Sequence, residues 1–293
     1  MSRLGVSIAA LTLSLLAMTS QAHARGEDKD VARLTSFGGM CANCDLAGRK
    51  LMNAKFTGAN FSKAVLIGAD LRGAMFYGSD FGWADLSRAD LRGAEMRGAN
   101  FTRANFTDAR MSGVESSGAN FTQAALVRVD LSSSELHAAN MVGANLNKAR
   151  FTNAELIAAN LSGSNARDAD FSNADINHAN FQGARFDGAR FQNADLTGSN
   201  LRGAIFNGAD FRNADLTMVN LAGADLSSAR GLDQEQLDEA CGDSSTRLPS
   251  GLSVRPCNGL RGGQHFMLLR AVPKAPPAPP APPAPPKPPK SSR

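Results

Sequence analysis

From Leu46 to Leu226 an apolar residue stands at every fifth position: Leu46, Leu51, Phe56, Phe61, Leu66, Leu71 and onward. Only Ser116 and Ala166 break the series. From Ala54 on, the residue two places before each of these centres is almost always Ala, with Ser or Val as occasional substitutes, and most other positions are polar or Gly. A period of five fits neither the 3.6 of a helix nor the 2 of a strand. A chain whose inward face returns every five residues turns a corner every five. The pattern therefore predicts a solenoid in which each large centre shares the interior with a small Ala.

A longer period of twenty lies on top of the first. The position before each centre behaves differently in columns spaced by twenty. One column reads Asn60, Asp80, Asn100, Asn120 and then Asn every twenty residues to Asn220. A second alternates in sign: Asp90, Arg110, Asp130, Arg150, Asp170, Arg190, Asp210, Arg230. A third is acidic: Glu95, Glu115, Glu135, Glu155, Asp175, Asp195, Asp215. Opposite charges facing each other across a ladder help and like charges hurt. The alternation therefore predicts that residues i and i+20 stack, with successive Asp and Arg as partners, and that four pentapeptides make one coil. About nine coils at a spacing of about 4.8 Å give a rod of roughly 43 Å. The core interruptions carry their own expectation: Val114 returns volume beside Ser116, whereas Ala166, with Ser164 beside it, predicts a small void or kink.

The units ANFSK, ADLRG, ADLSR, ANFTR and ADLTG resemble the A(D/N)LXX signature of the pentapeptide-repeat family. The resemblance implies an all-β fold, a right-handed quadrilateral parallel β-helix, with the centre and the Ala pointing inward and the other three residues outward. The flanks FGGMCANCDLAG and LDEACGDSSTRLPSGLSVRPC resemble those of exported members of that family.

A solenoid exposes core and strand edges at both ends, so caps are expected. Asp233-Gln234-Glu235-Gln236 fits a capping box, with Leu232 and Leu237 placed as a hydrophobic staple and Gly242 as a stop, which predicts a cap helix over 234–241. Val31 to Leu34 suggests a helical cap at the other end. The start of the chain reads as a secretory signal peptide, with Arg3, an apolar run from Ile8 to Met18, and Ala22-His23-Ala24 before the cut. The expected organisation is thus a leader at 1–24, an N-terminal cap at 25–44, the β-helix at 45–230, a C-terminal cap with helix and disulfide at 231–270, and a proline-rich tail at 271–293. A periplasmic or secreted location follows from the leader, as does disulfide formation. The run from 273 to 289 predicts a polyproline II segment, read as a spacer, as an envelope tether or as a ligand for a proline-binding module.

The four cysteines form two local pairs, Cys41 with Cys44 and Cys241 with Cys257. One metal site using all four would require the ends of the rod to meet. Structural disulfides are expected, with redox activity at Cys41/Cys44 as the alternative. His23, His137, His178 and His265 are scattered, and no nucleophile elbow, phosphate loop, dinucleotide motif or zinc motif appears. No cofactor, no catalysis and no membrane span are therefore expected.

The formal charge of +4 lies outside the repeat, where residues 45–230 hold 19 acidic and 19 basic side chains, so no nucleic-acid footprint is expected. The function expected is a non-catalytic scaffold for an unidentified protein partner in the cell envelope. The alternative is the DNA mimicry that some pentapeptide-repeat proteins direct at type II topoisomerases, which a neutral repeat and an export signal disfavour. Two surfaces are candidate docking sites. The acidic column could take a basic segment or divalent cations, unless the neighbouring row Asn153, Asn173, Asn193, Asn213 simply softens its charge. Val65, Ile67, Met75, Tyr77 and Trp83 could form an apolar patch if they share a face.

Overall fold

The structure, a computed structural model, describes residues 39–257 of the 293-residue chain. The expected leader, the Val31–Leu34 helix and the proline-rich tail lie outside the described residues.

Four of the five backbone N–H groups of a pentapeptide follow one pattern along almost the whole solenoid, and the unit around Leu51 shows it. Leu51 N–H donates to Asp70 O at 2.7 Å and Asn53 N–H donates to Arg72 O at 2.9 Å, both on the next coil. Ala54 N–H turns back to Leu51 O at 3.1 Å and closes the corner. On the coil above, Met75 N–H donates down to Ala54 O at 2.9 Å. The fifth donor, just after the centre, goes to the Asp or Asn side chain just before it, as in Ser62 N–H to Asn60 Oδ1 (2.9 Å) or Gly82 N–H to Asp80 Oδ1 (3.0 Å). This is why the signature carries Asp or Asn there: a short side-chain oxygen bonds the backbone two residues on.

The resulting parallel bridges run without a gap from Met40↔Asn60 to Asp210↔Arg230, always between i and i+20 and always four per coil. The corner itself requires positive φ at its third residue, the mark of a type II turn. Glycine fills many of these places, for example Gly98 at 62°. Asn fills others, including Asn173 at 56° and Asn193 at 53°, where its tolerance of the left-handed region is used.

Inside, centres and alanines are buried from Phe56 to Leu226 along one continuous core. The phenylalanines stack coil on coil: Phe61, Phe81, Phe101 and Phe121 at 4.9–5.3 Å, and Phe151, Phe171, Phe191 and Phe211 at 4.7–5.1 Å. Serines in the Ala slot survive burial by donating to the coil before, as Ser199 Oγ does to Ile176 O at 2.7 Å. Ser164 Oγ and Ser116 Oγ have no such partner. The kink expected at Ala166 is absent, because Ala166 N–H still reaches Arg185 O (2.7 Å) and Asp168 N–H reaches Asp187 O (2.9 Å). The ladder is held by backbone atoms alone, so a missing side chain does not interrupt it.

Both ends carry disulfides, and no described cysteine is free. Cys41 stands at a centre and Cys44 in the Ala slot, so the Cys41–Cys44 bond spans the first corner and packs against the core. At the other end α1 (Gln234–Leu237) has Asp233 as N-cap and the full reciprocal capping box with Gln236. Gln236 Nε2 also donates to Phe211 O (2.9 Å) and Ala214 O (2.8 Å), so the helix caps the last coil as well as itself.

The helix is shorter than the 234–241 expected. Cys241 is drawn back into the ladder above Asn220, and β1 (Cys241–Gly242) pairs in parallel with β2 (Arg255–Pro256), tied by Cys241–Cys257. Further pairing with the solenoid thus outcompetes another helical turn. Pro256 at the outer strand has no N–H to offer a further strand, which blunts the edge. No helix among the described residues is long and apolar enough to cross a membrane.

Two predictions follow from this packing. Ser116→Ala removes a buried hydroxyl that has no partner and should raise stability by about 1 kcal/mol, read as a higher urea midpoint; a lower midpoint would mean the hydroxyl is satisfied after all. In the cap, Asp243 is held down to about 2 from the ordinary 3.8 by hydrogen bonds from Ser245 Oγ and N–H, from Gly223 N–H and from Thr246, against the opposing effect of burial. A depressed carboxylate stabilises the fold above its unfolded value and loses that contribution as pH falls through its folded value. The stability advantage of the wild type over Asp243→Asn should therefore be full at pH 6 and vanish toward pH 2, measured by thermal unfolding across that range.

Candidate functional site

The acidic column is assembled as its spacing predicts. Glu95, Glu115, Glu135, Glu155, Asp175, Asp195 and Asp215 are successive bridge partners, one per coil, along one side of the rod. One methylene divides the column into two kinds of surface. The aspartates fold back onto their own corner: Asp175 accepts from Asn177 N–H (3.2 Å), Asp195 from Thr197 N–H (2.9 Å) and Asp215 from Thr217 N–H (2.8 Å). For Asp195, burial pushes the carboxyl up, but hydrogen bonds from Thr197 and Asn177 and the nearby His178 outweigh it and leave the group below its usual value.

The glutamates do not make that local bond. Glu115 pairs with Arg97, and Glu155 lies 3.1 Å from His137 Nε2. The Glu95 and Glu135 carboxylates have no hydrogen bond or ion pair among the described residues. The corner places beside them are held by Gly98, Gly118, Ala138 and Ala158, so little stands between these carboxylates and solvent.

The Asn row does not soften this charge. Asn193 Nδ2 donates to Asn173 Oδ1 (3.0 Å) and Asn213 Nδ2 to Asn193 Oδ1 (3.2 Å), so the amides form a ladder with one another. At its far end the column opens into an acidic cleft of about 370 Å³ that the repeat alone did not reveal. Asp215 and Thr217 line it from the last coil, and Asp233, Glu235 and Glu239 from the cap. The one signal for it was the acidic composition of the predicted cap helix. No group of three or more His, Cys, Asp or Glu among the described residues is arranged to hold a metal ion.

The alternating column stacks in register, Asp130 between Arg110 and Arg150, but its ion pairs are mostly local. Asp90 takes Arg92 at 2.7 Å and Asp210 takes Arg212 at 2.7 Å, two residues on, while Asp130 accepts from Ser132 Oγ at 2.7 Å. Within the column itself only Arg190 to Asp170, at 3.5 Å, crosses between coils among the described residues. The carboxylate that bonds its own corner already points along the chain, which favours a partner at i+2 over one at i+20. The Arg212 guanidinium beside Asp210, helped by Gln192, holds that carboxyl far below the usual range. Cross-coil pairs do form at another corner, where Arg128 meets Asp108 at 2.6 Å and Arg167 meets Asp187 at 3.1 Å.

The five apolar residues do not form one patch. Val65 bridges Asp45 and Asp85 on one side of the coil, with Ile67 on the adjoining corner. Met75 bridges Lys55 and Glu95 on the opposite side, with Tyr77 beyond it. All four are half-buried. Trp83 occupies a separate corner, 58% exposed, with φ at 63° and the Arg103 guanidinium 4.7 Å from its ring centre. That cation–π contact gives the ring a partner within its own chain.

The family model described as pentapeptide repeats matches residues 50–88, 84–115, 117–153, 154–193 and 194–230, more than half of the chain, and omits residue 116, where Ser replaces a large centre. No curated protein matches the chain. Among solved structures, the chain is similar to HetL, a pentapeptide repeat protein involved in heterocyst differentiation regulation from the cyanobacterium Nostoc sp. strain PCC 7120, with 28% identity, 70% of this chain and 91% of that one covered, and a TM-score of 0.47. It is also similar to full-length QnrB1, a plasmid-mediated fluoroquinolone resistance protein, at 22% identity, 68% and 92% coverage and a TM-score of 0.31. A pentapeptide repeat protein of the Arabidopsis thaliana thylakoid lumen matches at 25% identity, 51% and 73% coverage and a TM-score of 0.28. On the family match and the unbroken five-residue units, this chain belongs to the pentapeptide repeat family.

Proposed function

We propose that this chain is a non-catalytic scaffold of the cell envelope, wound right-handed as its family implies, which presents the glutamate-bearing side of its rod to an extended basic segment of a protein partner. The observation that carries the reading is the contrast in satisfaction between sides. Asn120, Asn180 and Asn200 spend their amides on the neighbouring coil and their oxygens on their own corner. Glu95 and Glu135 spend theirs on nothing within the described residues. Carboxylates one per coil, about 4.8 Å apart along a straight line, offer no convergent oxygen cage, which favours a basic peptide over Ca²⁺. The envelope location rests on the leader read in residues 1–24 and on the two disulfides. Balanced charge across the repeat weighs against DNA mimicry.

A Lys/Arg-rich extended peptide, titrated calorimetrically at low salt, should bind the mature protein and weaken about fivefold with Glu95/Glu135→Gln, since two exposed pairs contribute about 0.5 kcal/mol each. Unchanged affinity in that variant would reject the reading. Millimolar Ca²⁺ should leave the melting temperature where it was, and gyrase should not be protected from quinolones by the mature chain.

A further inference from the structure

The aromatic core is not continuous. Rings from Phe56 to Phe121 form one network with neighbours 4.8–6.5 Å apart, and rings from Phe151 to Phe211 form another at 4.7–5.9 Å. Among the described residues no ring contact joins Phe121 to Phe151, and the centres between them are aliphatic.

The corner-closing bonds change beside this gap. Everywhere else in the solenoid the N–H of the small residue reaches the carbonyl of its centre at 2.9–3.3 Å. Val114 N–H reaches Met111 O at 3.4 Å, Val129 N–H reaches Leu126 O at 3.5 Å, and the corresponding bond from Ser134 to Leu131 is not formed. These three exceptions sit together in residues 111–134. In the same interval Asp130 N–H to Ala109 O, at 3.2 Å, is the longest contact of its kind between coils, and Ser116 Oγ is buried without a partner.

The substitutions explain the geometry. Val114 and Val129 put a branched side chain into a slot that fits Ala, and Ser134 Oγ donates to Met111 O at 3.0 Å, competing for the acceptor that Val114 N–H needs. Val219 occupies the same slot alone in its coil and keeps a bond of 3.1 Å to Leu216 O, so it is the clustering that loosens the corners.

In a solenoid each coil contacts only its neighbours, so stability is nearly a sum of coil and interface terms and the weakest interface opens first. We propose that residues 111–134 are a built-in yield point, at which the rod parts into two blocks, each with its own aromatic network and its own terminal disulfide. The N-terminal block keeps Cys41–Cys44 and the C-terminal block keeps Cys241–Cys257. The rod then bends or opens in its middle under load or mild denaturation, and its ends stay folded.

Native-state hydrogen exchange of the full chain with both disulfides intact, at urea concentrations below global unfolding, tests this. After correction for intrinsic rates, amides in 112–136 should exchange at least tenfold faster than those in the equivalent coils 72–96 and 192–216. The double variant Val129→Ala/Ser134→Ala, which restores the residue most other corners carry, should bring the interval back toward its flanks with unchanged circular dichroism; Ser134→Ala alone should do so in part. Equal protection in all three intervals, or no slowing in either variant, would overturn the proposal.

Discussion

The structure depends on finding an acceptor for every backbone N–H in a chain that turns every five residues. Three of the five donors in a unit are taken by neighbouring coils, one closes the corner, and the last is taken by the Asp or Asn side chain in the units that carry one before the centre. A buried amide without a partner costs free energy comparable to a lost hydrogen bond, and the accounting repeats in every unit, so a small imbalance would be multiplied along the rod. Composition follows from it. Asp and Asn stand where a short oxygen must reach two residues on, Gly and Asn stand where φ is positive, and Ala stands where the corner leaves room for one methyl group beside a stacked Phe or Leu.

The same accounting sorts surface from scaffold. A side chain used to complete the backbone is oriented by that bond, which is the condition of the Asn column and of Asp175, Asp195 and Asp215. Glutamate in that place leaves the donor after it to solvent and carries its own charge outward. The four consecutive glutamates, Glu95 to Glu155, are a stretch of that side in which the local bond is not made. Among the described residues an acidic cleft opens between the last coil and α1.

Much of the architecture was legible because a period of five and a period of twenty are written in residue identity. Inward centres, the small slot, four sides and the stacking of i on i+20 all follow from side chains that repeat. The capping box at Asp233 was legible for the same reason: it is local. What escaped was the second use of side chains. The Asp and Asn columns read as outward ladders, and their work of capping the next backbone donor has no signature apart from the Asp/Asn preference itself. The sign alternation gave the register correctly but suggested the wrong partners, since Arg92 and Arg212 lie closer to Asp90 and Asp210 than the arginines stacked above them. The apolar set shared a coil in sequence but not a side in space, because Val65 and Met75 are two corners apart. The end of α1 was missed because competition from the ladder at Cys241 is non-local.

The central claim is that a coil of twenty residues, with its complete set of backbone partners, is the unit of this fold. Deleting residues 177–196 tests it most directly when compared with deleting 177–195. Removing twenty residues returns every downstream donor to an acceptor of the same kind, whereas removing nineteen places each side chain downstream one position out of register. The account predicts that the twenty-residue deletion keeps a cooperative thermal transition and the far-UV circular dichroism of the parent, while the nineteen-residue deletion loses both over the C-terminal half. Equal behaviour of the two chains would contradict it.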